Sequence, residues 1–152
     1  MKTRILILFI LLFPTFIFAQ PSFKALIDTS ADCYPSRGHF FIVEEMPSPN
    51  QTLNEIENML NQKVQFAEKE LGVDGKIYIQ FLVNCKGEPG DYQLTQCPDT
   101  LISVGNQIIE VFRNESIKWK PGRQRGQAVD VFLQSQIEIK KGTIEIIVFE
   151  ID

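Results

Sequence analysis

The residues best suited to nucleophilic or metal chemistry are one histidine, His39, and three cysteines, Cys33, Cys85 and Cys97. Nucleophilic catalysis needs a nucleophile, a base and a group that orients the base. His39 opens the apolar run "HFFIVEEMP" and reads as a partly exposed strand-end residue. A metal site needs three or four converging ligands. A single histidine and scattered cysteines with no C-x-x-C pair do not provide them. "GEPG" (residues 87–90) falls in a hairpin turn rather than a phosphate-binding loop. The chain therefore reads as non-enzymatic, without cofactor or metal; the remaining enzymatic reading is a reactive thiol at Cys85. The stretch most suggestive of binding is "WKPGRQRGQAVDVFLQSQIEI" (residues 119–139), in which the only tryptophan enters a Pro-Gly turn carrying two arginines. Trp119 reads as a core plug, and Pro121, Gly122 and Gly126 as turn formers. Arg123 and Arg125 read as a solvated loop face, or alternatively as contacts to an acidic peptide or another protein.

The cysteines divide by distance. Cys85 lies at the hairpin turn, and Cys97 lies beyond the returning strand. About 10 residues at about 3.3 Å each place them too far apart for a bridge. A disulfide would pair Cys33 with Cys85 or Cys97. Such a bridge requires export, and the N-terminus points there. Residues 1–4 are basic, residues 5–19 are apolar throughout, and no cysteine of a lipoprotein signal is near. The apolar run is about 15 residues and contains Pro14, short of the roughly 20 that a membrane-spanning helix needs. It reads as a signal peptide cleaved after Ala19, with an uncleaved inner-membrane anchor as the alternative. Removing it takes the net charge from −4 to about −6, which gives no reason to expect a nucleic-acid partner.

Positioning these groups falls to a short series of elements. Residues 20–40 form an extended lead-in, and residues 41–152 form one domain. Thr52 and Glu55 match a capping box. Leu53, Ile56, Leu60, Val64, Ala67 and Leu71 recur at helical spacing behind it, and "GVDG" closes that helix. "KIYIQFLV" (76–83) and "DYQLTQ" (91–96) form a hairpin. A second helix starts at Asp99, runs to residues 114–116, and buries Leu101, Val104, Ile108 and Phe112. Residues 129–139 form a long strand, "KKGT" a tight turn, and residues 144–151 a final strand. Two "N-x-S/T" sequons stand at Asn50 and Asn114; the family resemblance below implies a bacterial protein, in which they carry no weight. The economical packing is α+β, a two-layer sandwich in which an antiparallel sheet of three to four strands carries two helices on one face.

With that order in place, "GVDGKIYIQFLVNCKGEPGDYQL", then a helix, then "IKWKPGRQRGQAVDVFLQSQIEI" resembles the C-terminal domain of TonB, the energy transducer of Gram-negative bacteria. "FIVEEMPSP" looks like the lead-in of such proteins, and the likeness covers about residues 41–139. The resemblance implies a periplasmic protein-binding module linked to transmembrane transport by TonB-dependent outer-membrane receptors. In the family, a receptor peptide adds as a strand to an exposed sheet edge. Here that edge would be residues 129–139, with Val129, Val131 and Leu133 at the peptide. The chain departs from the family pattern in three places. The usual Tyr-Pro pair before the hairpin is missing. In place of a retained membrane helix and long Pro-rich linker there is only a short lead-in, which implies a stand-alone exported module. Residues 144–151 are an added strand, expected to fold back onto residues 129–139 and cap that edge. The alternative reading is a self-associating structural periplasmic protein, a homodimer using the same edge.

Overall fold

The computed structural model describes residues 38–115 and 117–150. The signal-peptide reading, Cys33 and most of the lead-in lie outside the described residues. The element order is β1 (Ser48–Pro49), α1 (Leu53–Lys63), β2 (Gly75–Val83), β3 (Pro89–Gln96), a 3-10 turn (Asp99–Leu101), α2 (Ile102–Asn114), β4 (Trp119–Lys120), β5 (Gly122–Gln124), β6 (Gln127–Val129), β7 (Val131–Lys140) and β8 (Thr143–Glu150). Four strands form an antiparallel sheet in the order β3-β2-β7-β8. The protein is α+β as expected, with its helices against the buried sheet face. Alternation in β2 and β7 turns Ile77, Ile79 and Phe81, and Leu133, Ile137 and Ile139, toward Ile56 and Leu60 of α1 and Val104 and Ile108 of α2. The opposite face is mixed: Gln80 pairs across the strands with Gln93 and Gln134, and Lys76 with Glu138, while Leu82 is buried opposite Phe132, which packs against His39 and Phe41.

The helix starts are set differently. Thr52 caps α1 through a complete box with Glu55. At the second helix Asp99 makes no capping bond and instead enters the 3-10 turn after Pro98. Gly105 allows α2 to approach β3 closely, since a Cβ there would lie 3.0 Å from Leu94.

Two spans differ from the sequence expectation. The first helix stops at Lys63 rather than Leu71. Val64 takes an extended conformation, and the Gln107 side-chain amide of α2 then holds both the N–H and the carbonyl of Gln65. A separate turn follows, in which the Ala67 N–H donates to the Glu70 carboxylate at 2.7 Å. Leu53 and Leu71, expected in the buried stripe, are exposed. The long strand expected over residues 129–139 breaks at Asp130. Its buried carboxylate accepts the Cys85 N–H at 2.8 Å, and its carbonyl accepts the Phe40 N–H. The break separates β6, half of a small ribbon with β5, from β7 in the main sheet.

Candidate functional site

The strand assigned by resemblance to a partner peptide is β7, and it is interior. On one side β2 pairs with it from Val131 to Ile139. On the other, β8 pairs with it from Gln134 to Lys140, and Phe40 bridges to it at Val131. The Phe132 N–H donates to the Phe40 carbonyl at 2.9 Å. The edge that the resemblance assigns to a partner peptide is not exposed: β8 folds back onto it, as expected of the added strand, and Phe40 fills the remaining end. Val129, Val131 and Leu133 are all fully buried core residues.

The outer side of β8 is itself engaged. Asn61 of α1 acts as a one-residue strand partner. It accepts the Ile144 N–H at 2.9 Å and donates to the Ile144 carbonyl at 2.8 Å. The Ile146 N–H donates to Glu57 at 2.8 Å. At the other end of the sheet, β3 has no second strand among the described residues, but two register shifts against β2 interrupt it. One of them surrounds Asp91, which has a positive φ of 50°. Bulges of this kind twist an edge and spoil it as a template for an added strand.

The turn carrying Arg123 and Arg125 is well ordered by its own contacts. Gly126 takes the left-handed conformation. Arg123 donates to the Gly126 carbonyl at 2.8 Å, and the Arg125 N–H donates to Glu44 at 2.8 Å. Both arginines are exposed. Gly122 is required by contact, because a Cβ would lie 2.5 Å from Val131 and 3.2 Å from Pro47. Pro121 is half-buried beside it. Trp119 is a core residue, 6% exposed. Its ring meets Phe81 at 5.3 Å and Phe149 at 5.2 Å, both edge-on. Its indole N–H has no hydrogen-bond partner among the described residues.

Cys85 is disulfide-bonded and Cys97 is a free thiol. Burial, and secondarily the Asp99 carboxylate, push the Cys97 thiol above its usual range. That shift opposes thiolate formation and so opposes nucleophilic use. His39 is exposed and lies edge-on to Phe132 at 4.8 Å. Among the described residues, no three His, Cys, Asp or Glu side chains converge as a metal site, and no helix is long and apolar enough to cross a membrane.

The best-formed concavity lies elsewhere, where the β2–β3 hairpin meets the end of α2. Asn84 shapes the hairpin tip, accepting the N–H groups of Lys86 and Glu88 on its side-chain oxygen. Gly87, at φ 78°, presses against Trp119: a Cβ there would lie 2.1 Å from the Trp119 carbonyl oxygen. This contact holds residues 87–92 opposite Phe112, Arg113, Glu115, Ile117 and Lys118, and a cleft of about 380 Å³ opens between the two walls. Its floor is apolar, with Tyr92 stacked between Phe81 at 5.3 Å and Phe112 at 5.8 Å. Burial pushes the Tyr92 phenol far above its ordinary range, against a smaller opposing effect of Arg113. Its rim is charged. Arg113 pairs with Glu110 at 2.7 Å, and Glu115 pairs with Lys63. Glu88, Asp91 and Lys118 have no ion pair among the described residues. Through Tyr92 and Arg113 the cleft continues into a shallower groove of about 540 Å³ between β3 and α2.

The sequence marks none of these cleft residues as a binding residue; Phe112 reads only as core and residues 87–90 only as a turn. The only hint is "GEPGDY", which reads as a turn; the left-handed Asp91 and the approach of α2 are tertiary facts. No protein-family model, curated protein or solved structure matches the chain.

Proposed function

We propose that this protein is a non-enzymatic protein-binding module of the TonB C-terminal kind, exported to the periplasm and working beside TonB-dependent outer-membrane receptors. One observation carries this reading. The strand that follows the W-K-P-G turn accepts added backbone along its outer side, from Phe40 at one end and from β8 over the rest. Strand addition at that position is the mode by which modules of this kind take a peptide, with main-chain hydrogen bonds supplying affinity. Here the protein's own chain occupies the position, so a partner meets a different surface. The exposed arginine turn and the cleft beside the hairpin are two surfaces open to it.

The test is photocrosslinking in the cell envelope, with the reactive group placed in turn at Arg125, Lys118 and Ile42. Adducts to an outer-membrane receptor are expected from Arg125 or Lys118. Adducts only to a second copy of the chain would overturn this reading in favour of self-association.

A further inference from the structure

We propose that the cleft between the hairpin and the end of α2 binds an extended peptide segment through a basic side chain flanked by apolar residues. This rests on the protein-binding reading and gives it a place and a ligand chemistry.

Three features define the occupant. The first is shape: the cleft of about 380 Å³ runs into a groove of about 540 Å³ along β3 and α2, which suits an extended chain better than a compact molecule. The second is the floor, where Pro89, Tyr92, Phe112 and Ile117 offer apolar contact to flanking side chains and to the methylene stem of a lysine or arginine. The third is charge. With Arg113 and Glu115 tied to partners of opposite sign, the lining charges without an ion pair among the described residues are Glu88 and Asp91 on the hairpin wall and Lys118 on the other. The balance is negative. The last turn of α2, with the partial negative charge of a helix C-terminus, adds to it. A cation is therefore favoured at the hairpin wall. Because β3 is interrupted by bulges, side chains rather than a backbone ladder carry the recognition.

The probe is the peptide Ac-Ser-Val-Leu-Arg-Val-Ser-NH2, with a control in which citrulline replaces arginine; the two have the same shape and differ by one charge. Amide chemical shifts of the intact protein are followed during titration. The expected result is saturable movement of residues 88–92 and 112–118. The citrulline peptide should bind roughly tenfold more weakly, a difference of about 1.4 kcal/mol. The double variant Glu88→Gln, Asp91→Asn should bring the two peptides to equal affinity while its shift spectrum elsewhere stays native. Equal binding of the two peptides by the unmodified protein, movement confined to residues 121–127, or no movement at all would each overturn the proposal. Movement at residues 121–127, together with receptor crosslinks from Arg125, would leave the protein-binding reading standing and remove only this site.

Discussion

Replacing Trp119 with alanine tests the central packing of the molecule. The ring is 6% exposed and closes an aromatic cluster with Phe81 and Phe149. Truncation of a buried large aromatic costs about 3–5 kcal/mol. The indole N–H, however, is buried without a partner among the described residues, and leaving such a donor unsatisfied costs about 1–3 kcal/mol in the native protein. Trp119→Ala removes that penalty along with the ring, so the net loss should be about 2 kcal/mol. Trp119→Phe removes the donor but keeps most of the ring, and should change stability by less than about 1 kcal/mol. Guanidinium denaturation followed by far-ultraviolet circular dichroism measures both, since the only tryptophan, and with it the fluorescence signal, is lost. A loss below about 1 kcal/mol for Trp119→Ala would show that the ring is not part of the core. A loss for Trp119→Phe equal to that for alanine would show that the N–H does have a partner.

Gly87→Ala should destabilise more than most surface substitutions, because a Cβ would meet the Trp119 carbonyl at 2.1 Å and the backbone is left-handed; thermal melting of the variant checks this. Asn61→Leu should cost about 1–3 kcal/mol by leaving the Ile144 N–H and carbonyl without their side-chain partner, and hydrogen exchange at Ile144 should speed up selectively. Cys97 should be alkylated slowly at pH 8 in the native protein and quickly after unfolding. Its raised pKa keeps it protonated when folded, and this contribution favours the fold below the ordinary thiol pKa and is lost as pH rises through the raised one. Ending the chain after Lys141 should abolish cooperative unfolding, seen as a broad, featureless thermal transition.

The parts of the fold legible in the sequence are those governed by local rules. The alternation of "KIYIQFLV" gives β2, the box of Thr52 and Glu55 gives the start of α1, and "KKGT" gives the turn into the last strand. Distant partners decide what was not legible. The apolar stripe of the first helix continues through Val64 to Leu71, but the Gln107 amide offers the Gln65 backbone an alternative to helical bonding. The alternation from Val129 to Ile139 crosses Asp130 without a signal, because that carboxylate is drawn inward by the Cys85 N–H 45 residues away. Trp119 as a core plug was legible from its place between helix and turn. The cleft was not, since its two walls lie far apart in the chain.

Whether β8 is a fixed part of the sheet or a strand that can leave decides how a partner could bind. Ile144 and Ile146 are buried, and Phe149 packs edge-on against Trp119 and Phe81. Burying the two isoleucines contributes roughly 1.5–3 kcal/mol each, about 3–6 together, before the half-buried Phe149 and the bonds from Asn61 and Glu57 are counted. A whole domain is typically stable by only about 5–15 kcal/mol. Releasing β8 would therefore cost a large share of that stability. A working gate needs its open state within a few kcal/mol, so that roughly 0.1–10% of molecules are open. β8 lies outside that range. A peptide competing for the same edge of β7 would have to replace the buried isoleucines as well as the backbone bonds. This balance favours a permanent cap over a gate, and under the proposed function a partner is recognised on surface that is still open, such as the arginine turn or the cleft beneath the hairpin.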